Sequence, residues 1–257
     1  PGGDVLVVEV AGKRLTRVHP DGTKSVVAEM SGGPNGAALG PDGHCYVCNN
    51  GGFRHLERNG RIFLLGQAQD YSGGRIERVN LDTGALEVVY SECDGRSLKG
   101  PNDIVFDAAG GFWFTDHGKR RARDRDVTGV FYALPDGSAI REMIFPCEEP
   151  NGIGLSPAED ELYVAETHTG RLWAYALDGP GTLAAPKRSL RVDQGRLVVG
   201  LPGLQMLDSL AVDSAGYVCV ATIHNGGISV IEPTSGEVGH VPMPDIVTTN
   251  ICFGGQD

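Results

Sequence analysis

A hairpin pattern that recurs at a fixed phase constrains this chain more than any other feature. It is clearest in Pro101 to Lys119, PNDIVFDAAGGFWFTDHGK. Asn102 and Asp103 open a short apolar strand, Ile104 to Phe106. Asp107 to Gly111 supply turn residues, and Phe112 to Phe114 form a second apolar strand that closes on Thr115, Asp116 and His117. Short runs rich in β-branched and aromatic residues on either side of a turn predict a β-hairpin. The opening polar residue and the turn glycine stand eight residues apart, as Asn102 and Gly110. The same offset separates Asn35 from Gly43 and Asp208 from Gly216. Asn151 opens PNGIGLSPAED, with Ala158 to Asp160 at the turn, and Thr249 opens TNICFGGQD.

Repetition every 40 to 70 residues, with room for four strands per unit, predicts a β-propeller with one four-stranded antiparallel blade per repeat. After the hairpin at Asn151, Arg171 to Tyr175 is expected as a third strand and Arg188 to Val192 as a fourth. PGGDVLVVEV aligns with PDGHCYVCNN, so the chain enters its first blade at the second strand. The expected fold is therefore all-β, a single six-bladed β-propeller over residues 1–257. Its first blade lacks the opening strand and its last blade is incomplete. A closed propeller removes exposed sheet edges by joining its two ends in one blade, which leads us to expect truncation at both ends.

Composition agrees with one large β domain. The 38 glycines have no collagen-like period and fall between short apolar runs, and 40% hydrophobic residues can fill a core. A net charge of −11 disfavours polyanions, so neither nucleic acid nor a membrane surface is an expected partner. No apolar run approaches the roughly 18 residues of a membrane span. A small-molecule substrate, a cytoplasmic setting and a monomer or weak homo-oligomer are expected. Six cysteines include a Cys45–Cys48 CxxC, but it lies on a strand pattern with no second ligand pair, so buried thiols are expected. The long spacing between Asn35 and Asn102 includes Gly66 to Gly74 and Ser91 to Gly100, read as loops that cover one face. The charge run Lys119 to Asp126 is either a solvated loop or a rim that attracts an anionic substrate.

In a propeller the innermost strands line a central channel, so the opening residues of all blades lie at one mouth. Asn35, Asn102, Asn151, Asp208 and Thr249 form that ring, with Asn49, Asp116, His117, Glu166, His168 and His224 outside it. Taken singly, such residues are ordinary turn and capping residues. In a shared phase, their converging amide and carboxylate oxygens suit a hard divalent cation. Calcium suits best, with manganese, magnesium or zinc open.

In Pro101 to Gly118, Pro150 to Tyr175, LDSLAVDSAG and TTNICFGG the chain resembles the senescence-marker-protein, gluconolactonase and luciferin-regenerating-enzyme family. The resemblance covers nearly the whole chain. It implies a six-bladed propeller with one catalytic divalent metal at the channel mouth, held by Asn151 and Asp208, with Asn102 as a ligand or substrate contact. The family's Glu ligand, in an EGP motif, has no counterpart here, and the repeat frame puts its place before Pro1. Glu9 aligns instead with Asn49 and Asp116. Gly100 stands where some sugar-lactonase members carry Arg.

The expected activity is metal-dependent hydrolysis of small lactones. The metal would polarise the ester carbonyl, and Asp208 would act as general base. Asn102, Asp103, His117 and His224 would contact the substrate. Two alternatives stand beside it: phosphotriester hydrolysis at the same site, and a non-enzymatic calcium-binding propeller.

Overall fold

The computed structural model describes residues 3–185 and 195–254. Strand follows strand throughout, and among the described residues no helix is long and apolar enough to cross a membrane. The first blade has three strands, β1 (Val5–Glu9), β2 (Arg14–Val18) and β3 (Lys24–Glu29). The second contains β4 (Pro34–Leu39), β5 (Cys45–Asn49), β6 (Phe53–Arg58), β7 (Arg61–Gln67), β8 (Arg75–Val79) and β9 (Leu86–Tyr90). In it β4-β5-β8-β9 form the blade and β6-β7 a separate hairpin. A small ribbon, β10 (Glu92–Cys93) and β11 (Arg96–Ser97), leads to the third blade. That blade comprises β12 (Pro101–Phe106), β13 (Phe112–Asp116), β14 (Thr128–Ala133) and β15 (Ile140–Cys147). The fourth is β16 (Pro150–Leu155), β17 (Glu161–Glu166) and β18 (Arg171–Gly179), with β19 (Thr182–Leu183) and β20 (Arg196–Gly200) both paired to β18. The fifth is β21 (Leu207–Val212), β22 (Val218–Thr222), β23 (Gly227–Ile231) and β24 (Val238–Pro242). The inner strands β4, β12, β16 and β21 lie against one another in that order.

The cores sit between blades, because successive side chains of a strand point to opposite faces. Phe112 and Phe114 join Tyr46, Ile76 and Phe131 between blades two and three. Trp113, between them in sequence, joins Val130, Leu162 and Val164 between blades three and four. This explains why FWF reads as a continuous apolar run: both faces of the blade are covered. Phe112 and Phe114 are fully buried, and such burial contributes about 1.5–3 kcal/mol each. Cys45 and Cys48 fall into different cores, and five of the six thiols are buried and free, as the CxxC reading expects.

The repeat phase predicted from sequence holds in space. Two residues after each opening residue, Ala37, Ile104, Ile153, Leu210 and Ile251 all pack into an inter-blade layer. Three expectations change. The described residues form five blades rather than six, the first of three strands. Thr249 lies in a segment without strand pairing, although its carbonyl accepts from Ser209 N (3.3 Å) and Ile251 packs on the fifth blade. Arg188 to Val192 falls outside the described residues, and Arg196–Gly200 serves as the outer strand of that blade. The insertion before Asn102 is not all loop: Gly66 and Gln67 end a β-hairpin that turns on Asn59 (φ 54) and Gly60 (φ 70). Asn-Gly is the sequence signal for such a turn.

Candidate functional site

Four blades share one irregularity. The first residue of each inner strand pairs with the last of the second strand, as Pro34↔Asn49, Pro101↔Asp116, Pro150↔Glu166 and Leu207↔Thr222. In every case the register then shifts before pairing resumes at Ala37, Ile104, Ile153 or Leu210. The skipped residues are Asn35–Gly36, Asn102–Asp103, Asn151–Gly152 and Asp208–Ser209. A break of this kind releases residues from the ladder and re-aims their side chains. The glycines of the two PNG motifs have a packing reason. A Cβ on Gly36 would meet Asn102 O at 2.4 Å, and one on Gly152 would meet Asp208 O at 2.5 Å. Each glycine thus lets the next blade's opening residue approach.

The structure brings Asn151 and Asp208 together. The Asn151 amide stands within hydrogen-bonding reach of the Asp208 carboxylate, and its Nδ2 donates to Thr167 Oγ1 (3.0 Å). Asn151 Oδ1 is buried with no hydrogen-bond partner, a costly condition for a polar atom unless a ligand satisfies it. Burial, with the charge of Asp103 as a lesser cause, pushes Asp208 up to about 7. Asn35 and Asn102 have no side-chain hydrogen bond among the described residues. The donor set is amide and carboxylate oxygen, with no thiolate, which fits a hard divalent cation.

Asp103 is placed differently from a free substrate contact. Its Oδ2 accepts from Ser209 Oγ (2.8 Å) and Ile153 N (3.4 Å), while Oδ1 accepts from Ile104 N (3.0 Å). Burial pushes it up to about 6. It therefore ties the third blade to the fourth and fifth beside Asp208. The outer polar ring also has structural partners. Asn49 Oδ1 accepts from Gly33 N (2.9 Å), Asp116 Oδ1 from Gly100 N (2.7 Å) and Glu166 Oε1 from Glu148 N (3.0 Å). Each fastens the backbone just ahead of its own blade's opening residue.

A second group flanks the mouth. Metal-binding atoms of His117, Glu149 and His168 all lie within 4.8 Å of one another, a spacing that one metal ion could bridge. Glu149 is buried, with φ 55, and His168 Nδ1 is 2.7 Å from its Oε2. Arg120 grips both its oxygens (3.0 and 2.7 Å) and Arg125 Nη1 adds a contact at 3.1 Å. Burial tends to raise the Glu149 carboxyl, but bonds from His168 and Arg120 outweigh it and hold it well below the usual range. Burial pushes His117 down to about 4, so its imidazole is neutral at physiological pH. With Glu149 Oε2 already shared among three donors, a cation here would have to displace a guanidinium. At Asn151, by contrast, an oxygen is left without a partner. His224 stands apart, exposed in the turn after β22.

The charge run is neither freely solvated nor a free cationic rim. Arg120 and Arg125 hold Glu149, Arg125 also holds Glu148, and Arg121 holds Asp124 and Asp126. Lys119 is fully buried.

Residues 2–257 match the SMP-30/Gluconolactonase/LRE-like region. The chain belongs to this family. Among relatives, lactonase drp35 of Staphylococcus epidermidis is 28% identical over 245 residues, covering 94% of this chain and 67% of that protein. The gluconolactonase of Zymomonas mobilis is 29% identical over 237 residues, covering 86% of this chain and 58% of that one. A gluconolactonase from Xanthomonas campestris has a similar fold, with a TM-score of 0.75 at 23% identity over 97% of this chain and 75% of that chain. The chain thus spans about two thirds or less of the length of these curated relatives.

Glu9 is committed within its own blade. Both its oxygens bind Arg14 (2.9 and 2.9 Å), and Thr16 Oγ1 adds a bond at 2.5 Å. The Arg14 bond is the main reason its carboxyl falls to about 2. Gly100 has its own cause: a Cβ there would meet Gly118 O at 2.7 Å. Glu149 and Ser209 were not among the expected site residues, and Lys119, expected in a charged loop, is buried. Glu149 precedes a PNG motif and could have been suspected; nothing local marks Ser209 as the partner of Asp103.

Proposed function

We propose that this chain hydrolyses small lactones at a divalent-cation site on the channel mouth, with Asn151, Asp208 and Asn102 as the holding residues and calcium as the ion that suits them. The observation that carries this reading is the buried, unpartnered Asn151 Oδ1 beside the Asp208 carboxylate. Membership of the family and the lactonase names of its relatives support it. A cation bound there would polarise the ester carbonyl and stabilise the developing oxyanion. Asp208, once ionised, orients a water and takes its proton on a carboxylate oxygen. Asp103, fixed by Ser209, adds negative charge near Asp208 that favours cation capture. Asn102 offers its free amide to the cation or the substrate. His117, neutral at physiological pH, can accept a hydrogen bond from substrate at the rim, and the exposed His224 is a more distant contact.

The Thr249 segment supports a further structural reading. Its carbonyl bond to Ser209 and the seat of Ile251 are those of an opening strand, which makes it the start of a sixth blade.

The test is lactone turnover by the wild type and Asp208→Asn, with and without chelator, beside a phosphotriester panel. We expect Asp208→Asn to lower kcat at least about 100-fold and chelation to abolish turnover, with added calcium restoring it. Full activity in chelator would remove the metal from the mechanism. Phosphotriester turnover without lactone turnover would replace the substrate class.

A further inference from the structure

Thr167 directly follows β17 and is 3% exposed. Its backbone N–H donates to Glu149 O (3.2 Å), two residues before Asn151. The other three blades with an inner strand make the same bond in the same phase. Asn50 N reaches Gly33 O (2.8 Å), His117 N reaches Gly100 O (3.0 Å) and Ile223 N reaches Met206 O (3.0 Å). Each acceptor stands two residues before its blade's opening residue, so this bond belongs to the fold. The side chain at the position does not. Among the described residues, only Thr167 also bonds through its side chain to its own opening residue, its Oγ1 accepting from Asn151 Nδ2 at 3.0 Å. The Thr167 carbonyl accepts from Leu207 N (3.3 Å), the residue before Asp208. One residue therefore holds the Asn151 amide and touches the start of the strand that carries Asp208.

The bond to the amide decides what Asn151 presents. An asparagine side chain has two hydrogens on Nδ2 and one acceptor, Oδ1. One hydrogen goes to Thr167 Oγ1 and the other serves the Asp208 carboxylate, which when ionised only accepts. Oδ1 is left on the remaining side, buried and without a partner. Turning the amide over would set Oδ1 against the Asp208 carboxylate, acceptor against acceptor. An unsatisfied buried acceptor is costly, so Oδ1 stays where it is because Nδ2 is held at both hydrogens. Without the Thr167 hydroxyl, Nδ2 keeps Asp208 alone and the amide is free to turn. The Asn151 backbone is fixed separately, by Thr115 Oγ1 donating to Asn151 O (2.6 Å). Loss of the Thr167 hydroxyl would thus act on the amide and leave the strand in place.

We propose that Thr167 is a positioning residue of the cation site: its hydroxyl locks the Asn151 amide with Oδ1 available to the cation. This rests on the cation reading above.

The test compares Thr167→Val, which keeps the volume and loses the hydroxyl, with Thr167→Ser, which keeps the hydroxyl. Thr16→Val is the control, because it removes another buried hydroxyl, bound to Glu9 in the first blade. The first readout needs no cation. It is hydrogen exchange of the Asn151 side-chain amide by nuclear magnetic resonance, the signal assigned by its loss in Asn151→Asp. We expect exchange at least about tenfold faster in Thr167→Val, with Thr167→Ser within about threefold of the wild type and Thr16→Val unchanged. The second readout is calcium titration. Thr167→Val should weaken binding at least about tenfold, Thr167→Ser should restore it, and Thr16→Val should leave it as it was. Equal exchange in Thr167→Val and the wild type overturns the proposal whatever calcium does. Faster exchange with unchanged calcium affinity also overturns it, since the hydroxyl would then order the amide without serving the site. Faster exchange in a chain whose wild type binds no calcium supports the lock on the amide and removes the cation reading instead. If Thr167→Val does not fold, Thr167→Ala, which also drops the hydroxyl and keeps both backbone bonds, is read in the same way.

Discussion

Ser209 Oγ donates to Asp103 Oδ2 at 2.8 Å across 106 residues of sequence, joining the opening segments of the third and fifth blades beside Asp208. The acceptor is buried, and the hydroxyl is its shortest side-chain contact. Ser209→Ala should therefore leave part of a buried carboxyl unsatisfied and cost about 1–3 kcal/mol. Urea unfolding of the two proteins checks this. A loss below about 0.5 kcal/mol would mean that water replaces the hydroxyl and that the tie is not structural.

The contrast between this tie and the rest of the fold shows what the chain discloses locally. Phe112 to Phe114 and Leu162 to Val164 are legible as strands because both blade faces are covered, leaving unbroken apolar runs between turns. The phase of Asn102, Asn151 and Asp208 is legible because each precedes such a strand. The register breaks are not, since nothing in PNG or LDS distinguishes a skipped pair from a paired one. The β6–β7 hairpin escaped because β6 (FRHLER) is mostly polar and the pair lies outside the phase of the repeats, although Asn59-Gly60 marked the turn. The charge run escaped because its partners Glu148 and Glu149 lie 23 to 29 residues further on, in the link between the third and fourth blades.

Proton linkage at Asp208 supplies a second prediction. Burial raises this carboxyl to about 7, whereas in the unfolded chain it ionises near ~3.9. Between those values the folded protein holds a proton that the unfolded chain has released. Its contribution to stability is present below about pH 4 and lost as pH rises through about 7. His117, lowered to about 4, runs the other way over part of that range, so the clean measurement is a difference. In chelator, Asp208→Asn should gain about 1–3 kcal/mol relative to the wild type between pH 4.5 and 8. Calcium should close that gap at pH 8, and its affinity should rise with pH. A pH-independent difference would refute the raised carboxyl.

Lys119 holds the hairpin through its ammonium. Lys119→Met keeps most of the side-chain volume but removes the bonds to Asn50 and Gly52 and the contact with the Phe53 ring. A desolvated cation–π contact contributes about 2 kcal/mol, so the hairpin should open more often while the inter-blade cores persist. Trypsin should then cut at Arg54, Arg58 or Arg61 several-fold faster in native buffer, with little change in far-ultraviolet dichroism. Equal cutting rates would show that the Gln67–Arg120 and Arg61–Asp245 contacts hold the hairpin without it.

Gly152 tests whether the close approach of blades four and five builds the site. It is in the second PNG motif, and its φ carries no strain for other residues, so any cost of substitution comes from space. A Cβ would stand 2.5 Å from Asp208 O, 2.7 Å from Leu210 N and 2.9 Å from Ser209 C, all backbone atoms that cannot swing aside. Gly152→Ala must therefore push the two inner strands apart and carry Asp208 away from Asn151. Overpacking of this kind costs about 1–3 kcal/mol, and calcium affinity should fall together with lactone turnover. Gly200 is the matched control, since a Cβ there meets only Arg171 Cγ at 3.9 Å, and Gly200→Ala should stay within about 0.5 kcal/mol of the wild type. Thermal unfolding and calcium titration of both variants decide the matter. If Gly152→Ala binds calcium as the wild type does, the cation is held elsewhere than between Asn151 and Asp208.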